Sequence, residues 1–411
     1  MDIDSSEEPG AAQQERRRRP RSGVAWSVGG VLGALVGLTV VFVSVKSVTS
    51  GTDQLLTAGV IALGWLLIIL GAAFLWQGID LLRGAEGPLV RQVFLPAAWL
   101  VAAFVLVLVA GAGLLAWNPS TLVPFSVAHF LATALPVAVL LAFAARAMGS
   151  SRLRDLVGSL GWGGIVVPFL ASVGELLGAA LLLIAILVVG GFTLGGLSTL
   201  FSQGAFFPEA LSPNGPLGTS LLILVVGVVV IVAPLTEEAL KALVVVFHKP
   251  AGMQRRDAIL WGMAAGGGFA ILEGLFNPLQ GLLPAQGQMG VSLLPLPLPT
   301  AWSVSMLVRA GASLIHMTTG AIMGQGWYMA EVEHRGGRLL GAYGLSFGLH
   351  AAWNGMALLM GDMGTNALSL GPASWVGIVG LVALLVLAGV YLVRTVNRER
   401  LSWNAEEVLH D

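Results

Sequence analysis

Long apolar runs separated by short polar breaks fill the chain, and this rhythm predicts helices before any single residue is weighed. Ten runs are long enough to cross roughly 30 Å of hydrocarbon as helices. They lie near residues 24–45, 55–79, 93–116, 122–146, 160–190, 219–247, 258–277, 301–330, 339–361 and 374–394. The first run follows Arg16, Arg17, Arg18, Arg19 and Arg21, as the apolar stretch of a signal peptide would. Its length and the lack of a small-residue cleavage site after it predict a retained helix instead. No internal repeat with matching motifs stands out. Residues 1–22 and 395–411 are polar and predict disordered tails.

Basic residues fix the expected orientation. With the N-terminus inside, 18 of the 21 Lys and Arg fall on inner segments and only Lys46 on an outer loop, while Lys241 and Arg309 lie within spans. The alternation predicts an all-α, polytopic transmembrane helix bundle of about ten helices with both termini cytoplasmic. Composition agrees, at 56% hydrophobic and 10% charged residues with a mean hydropathy of +0.86. Soluble domains carry about 25% charged residues, so a soluble globular enzyme is excluded. The absence of Cys removes disulfides, thiolate metal sites and cysteine nucleophiles together. The lipid bilayer is the expected partner, and no nucleic acid is expected.

Ionisable groups inside spans cost about 2.5–3.5 kcal/mol on insertion scales and point to function. Here they are Glu175, Glu237, Glu238, Lys241, Glu273 and Arg309, with His129, His316 and His350 beside them. Counting inward at about 1.5 Å per residue puts Glu237 and Glu238 roughly 14–15 Å deep and His350 roughly 16 Å deep. Glu273 and His316 come out at roughly 21–22 Å on the same rise. Four spans thus place acids or imidazoles in one layer, which favours a shared site.

The densest cluster is Thr236-Glu237-Glu238-Ala239-Leu240-Lys241, just after Pro234. Proline in a span frees a backbone carbonyl, and Thr236 is placed to cap a renewed helical turn. Lys241 is three and four residues from the two acids, within reach of either. Adjacent carboxylates at low dielectric cannot both ionise cheaply, which suits a water-activating base. The plainer reading is an internal ion pair that locks helix packing. Two His and a Glu also make a common zinc ligand set. Asn354, one turn from His350, is placed to orient it or to bind a substrate carbonyl. Glu175, His129 and Arg309 look less like catalytic groups, with Arg309 expected to snorkel or to pair with an acid.

Other motifs say little. No His-Glu-x-x-His occurs, which excludes a zincin-type site. Gly344-Leu345-Ser346-Phe347-Gly348 matches the nucleophile-elbow spacing but lies in an apolar helix, where small-residue packing is the expected role. The long outer loops 191–218 and 278–300 read either as plain connectors or as a lid.

Glu-Glu-x-x-Lys at 237–241, Phe-x-x-x-Glu at 269–273, the isolated His316 and His350 with a polar residue four positions on resemble the PrsW family of intramembrane proteases. That family is distantly similar to the prenyl-protein endopeptidase and bacteriocin-immunity (CPBP) group. The resemblance covers residues 219–361, and the remaining helices match nothing named. In the family the last motif usually ends in Asp, where this chain has Asn354. The implied domains are a basic tail at 1–22, a five-helix membrane region of unknown role at 23–192, a PrsW-like catalytic core at 193–365, a last helix at 366–394 and a tail at 395–411.

The resemblance implies hydrolysis of peptide bonds in a membrane-anchored protein substrate, as when the founding member clips a single-span anti-sigma factor. It implies a multi-pass protein of the bacterial plasma membrane. It assigns Glu237 as base, Glu238 and Lys241 as its supports, and His316 and His350 as groups that polarise the carbonyl. The alternative casts His316, His350 and Glu273 as ligands to zinc, so the cofactor is either none or zinc. Two other readings stay open: a proton- or ion-coupled transporter, since buried Glu, Lys and His also build proton relays, and an inactive membrane scaffold.

Overall fold

The computed structural model describes residues 9–47, 54–85, 87–117, 122–148, 151–189, 216–248, 253–282, 297–360 and 372–410. Among these, ten long helices account for nearly all of the chain and no strand occurs. They are α1 (Pro9–Ser47), α2 (Gln54–Leu82), α3 (Ala97–Trp117) and α4 (Leu122–Met148). Helix α5 joins Leu153–Gly161 to Val167–Val189 through a π turn at Trp162–Val166, and α6 joins Pro216–Gly227 to Ala233–His248 through a π turn at Val228–Val232. Then come α7 (Arg255–Leu282), α8 (Leu298–Glu331), α9 (Gly336–Met360) and α10 (Pro372–His410). The expected lid segments 191–218 and 278–300 fall for the most part outside the described residues.

The all-α bundle agrees with the sequence reading, with two differences. Among the described residues, eight helices, not ten, are long and apolar enough by themselves to cross a membrane. The two that fall short, α8 and α9, carry the polar groups Arg309, Ser313, His316, Thr318, Thr319, Gln325, His350 and Asn354, which lower their hydropathy. Helix also extends back to Pro9 and on to His410, where irregular tails were expected. The Ala-Ala-Gln-Gln-Glu-Arg run in the first tail consists of strong helix formers.

Glycine sets how closely the helices approach. Gly23, Gly30 and Gly37 on α1 recur every seven residues and face Gly78, Gly71 and Gly64 on α2, where an added Cβ would strike the opposing helix. The same device brings α7 against α8, with Gly262 and Gly266 packed on the backbone of Gly320 and His316. Helix α7 is the centre of the bundle, buried at every position from Ala258 to Ile271. Leu66, Leu141, Met263 and Met317, from α2, α4, α7 and α8, share its main apolar cluster. The periphery is also apolar: Leu32 of α1, Leu106 of α3, Leu176 of α5 and Val379 of α10 point outward. A water-soluble protein does not tolerate so much exposed apolar surface, so this belt is the lipid-facing wall.

Candidate active site

The site is built on α6. Pro234 cannot donate a backbone hydrogen bond, and the preceding π turn absorbs the disruption without breaking the helix. Thr236 does not cap a new turn as expected. Its Oγ1 donates back to the carbonyls of Val232 (3.0 Å) and Ala233 (2.9 Å). Downstream, Glu237, Glu238 and Lys241 share one buried face. Lys241 Nζ donates to Glu238 Oε1 at 2.8 Å and to Glu237 Oε2 at 3.3 Å. It also lies 4.1 Å from the centre of the Phe269 ring on α7, a cation–π contact.

Helices α8 and α9 add the imidazoles. His316 Nδ1 is 3.0 Å from Lys241 Nζ, and His316 Nε2 is 2.8 Å from Glu273 Oε2. The Glu273 carboxylate in turn accepts from Arg309 Nη2 at 2.6 Å. His350 Nδ1 lies 2.8 Å from Glu238 Oε1 and 3.7 Å from Glu237 Oε2. The two rings meet at right angles, with centroids 4.7 Å apart. Glu238 Oε2 is buried with no hydrogen-bond partner among the described residues. Of the two acids, Glu238 is sealed at 0% side-chain exposure, while Glu237 keeps 10%.

Of the expected residues, Glu237, Glu238, Lys241, His316 and His350 therefore meet directly, and Glu273 joins through His316. Asn354 does not join them. Its Nδ2 donates to the Val229 carbonyl at 2.9 Å, inside the π turn of α6, so it braces two helices. Glu273 also departs from its expected place as a ligand beside both imidazoles. The donor atoms that lie within 4.8 Å of one another belong to Glu237, Glu238, His316 and His350, and Glu273 stands behind His316.

Residues set aside at first contribute more than their sequence context suggested. Arg309 takes the second of its two expected roles and pairs with an acid, Glu273, and half-buried Glu175 on α5 is close enough to interact electrostatically with Glu273, Lys241 and His350. Tyr343 donates to the Leu235 carbonyl at 2.8 Å, which pins α9 to the helix bearing the acids. Only the spacing of Phe269 and Glu273 hinted at the aromatic contact. His129 is a packing residue: its Nε2 bonds the Leu275 carbonyl at 3.0 Å, and Trp302 donates to its Nδ1 at 3.1 Å. The Gly344 to Gly348 segment is not a helix-packing seam either. Neither glycine has a neighbour against it, while Ser346 donates to the Thr319 carbonyl at 3.1 Å.

A buried Glu-Glu-Lys cluster faced by two imidazoles inside a helix bundle supplies the acid–base groups that a membrane-embedded hydrolase needs. Residues 151–390 match the PrsW family of intramembrane metalloproteases, and the chain belongs to that family. No curated protein and no solved structure matches the chain. The family match reaches beyond the motifs at 219–361: it takes in α5 and about half of α10, which the motifs alone left unassigned. The chain is thus a multi-pass membrane protein with an intramembrane protease domain, and the transporter reading gives way.

The family description implies a metal, and the donor set fits one. Two carboxylates and two imidazoles converge, Glu238 Oε2 lacks a partner, and Glu273 backs the far nitrogen of His316. Carboxylate support behind a ligating imidazole is the usual arrangement around zinc.

Proposed function

We propose that the protein hydrolyses a peptide bond in a membrane-anchored protein substrate, with Glu237 as the base that activates water. The difference between the two acids carries this reading: Glu238 is held by Lys241 and His350 and sealed, whereas Glu237 is held more loosely and keeps an exposed edge. A base must reach the water it deprotonates. Glu238 and Lys241 fix the pair in place. His316 has both nitrogens engaged, so the task of polarising the carbonyl falls to Nε2 of His350, which donates there only as the imidazolium because Nδ1–H is already given to Glu238. As water adds to the carbonyl carbon, its proton passes to Glu237 and then to the departing amine.

Glu237, Glu238, His316 and His350 would hold a zinc ion once the Lys241 ammonium, which now contacts Glu237, Glu238 and His316 Nδ1, gives up that place. When bound, zinc supplies Lewis acidity and lowers the pKa of water. Arg309 and Glu273 would keep His316 in register for either chemistry. By the placement of basic residues, both termini lie in the cytoplasm of a bacterial cell, with the bundle in its plasma membrane. A single-span protein of the anti-sigma-factor kind is the substrate class, cut to start a regulatory response.

The test is cleavage of a panel of single-span proteins in liposomes by wild type and Glu237→Gln, each with and without a chelator. Loss of about 10²–10⁴-fold in the variant is expected for a missing general base. Undiminished cleavage by Glu237→Gln would overturn the assignment. Loss with chelator, restored by zinc, would place the metal in the reaction.

A further inference from the structure

Helices α9 and α10 touch closely at one end, where Gly377 and Gly380 pack on Met360 and Met356 beside Trp353 and Leu381. Farther along, a cavity of about 550 Å³ opens between them, backed by α8. That size lies within the roughly 300–1,000 Å³ of ligand pockets. Ile322, Leu345, Leu349 and Leu387 make its apolar walls. On the adjoining face of α9, Gly341, Gly344 and Gly348 have no neighbour against them.

The rest of the lining is polar and basic. Gln325 and Tyr391 bond to each other at 3.2 Å, and beyond them are Arg394 and Arg398, with no Asp or Glu in the lining. The nearest acid in sequence, Glu399, is held by Arg255 at 2.7 Å. Arg394 has no ion-pair partner among the described residues, and Arg398 meets only that shared carboxylate, at 3.6 Å. The last apolar run ends at residue 394, so the two guanidinium groups stand where hydrocarbon gives way to headgroups.

We propose that this cavity binds an anionic phospholipid, its phosphate on Arg394 and Arg398 and an acyl chain along Leu345, Leu349 and Leu387. The lining dictates this class of occupant: apolar at one end, negatively charged at the other, and delivered from the bilayer. Free phosphate would use the arginines and leave the apolar walls in contact with water. Basic recesses between membrane helices at the inner leaflet suit anionic headgroups in general. The cavity is separate from the acid cluster, since His350 turns to Glu238 on α6 while Leu349 turns to α10.

Native mass spectrometry of the full-length protein, released from detergent with dioleoyl phosphatidylglycerol or dioleoyl phosphatidylcholine, tests this. Phosphatidylglycerol should be retained in preference, and millimolar inorganic phosphate should not displace it. Arg394→Ala with Arg398→Ala should lower its occupancy roughly tenfold or more and leave phosphatidylcholine unchanged. Leu349→Trp, which fills the apolar end, should lower it too, and decides the matter if the double variant fails to fold. Equal retention of the two lipids, undiminished binding in the variants, or displacement by phosphate would each overturn the proposal.

Discussion

Lys241 points its ammonium at His316 Nδ1 from 3.0 Å. An ammonium only donates, so Nδ1 accepts, and the ring proton sits on Nε2, where it is given to Glu273 2.8 Å away. One cation thereby fixes the tautomer of an imidazole on another helix while bridging two carboxylates on its own.

Removing that cation should be costly. In Lys241→Met, Glu238 is left buried beside Glu237 with only His350 to answer it. Breaking a buried ion pair from one side typically costs about 3–5 kcal/mol. Thermal unfolding in detergent is expected to show a large loss for Lys241→Met, partly recovered by adding Glu238→Gln. No recovery in the double variant would mean the two side chains are not coupled.

Arg309 reaches the site only through Glu273. Arg309→Leu is therefore expected to reduce proteolysis by roughly 10–100-fold, the usual range for groups that hold a ligating imidazole. If the proposed metal site is filled, zinc content by mass spectrometry should fall with it. Arg309→Lys should recover part of the loss, because the contact is a single bond from Nη2 that an ammonium can also donate.

Asn354 donates to a backbone carbonyl, a task its acidic counterpart cannot perform when ionised. Asn354→Asp should therefore destabilise this protein by about 1 kcal/mol, the net worth of one hydrogen bond between half-buried groups. It should not raise the rate of cleavage. A faster enzyme with unchanged melting would put this side chain in the chemistry.

Gly266 lies against the carbonyl of His316 itself. Gly266→Ala forces α7 and α8 apart at the residue that bonds Lys241 and Glu273. A cost of about 1–3 kcal/mol from overpacking is expected. Cleavage should fall further than stability, and Gly324→Ala, two seam positions away from the imidazole, should show the stability loss with less effect on rate.

The sequence made the helices readable because lipid rewards long apolar runs, and it made the acids and imidazoles stand out because each is expensive in that setting. Partner choice was harder to read. Asn354 and His350 share a turn, yet the amide serves the Val229 carbonyl because a π turn on α6 left that group to be satisfied. Arg309 looked like a boundary residue by depth alone, and only the crossing of α7 with α8 puts Glu273 in front of it. The glycine seam between α1 and α2 repeats every seven residues on each helix, but the spacing alone does not say which helix lies against it. Glycines 344 and 348 carry the same small-residue signal without a seam.

The π turn at Val228–Val232 has one more effect. A widened turn holds about one residue more than an α turn, and each residue advances the helix by roughly 100°. Everything downstream on α6 is therefore out of phase with what lies upstream. The outer half can keep its greasy side toward the bilayer while the inner half swings Glu237, Glu238 and Lys241 inward. A continuous α-helix would have to align those two faces, so the local winding is what lets a lipid-facing rod carry three charges.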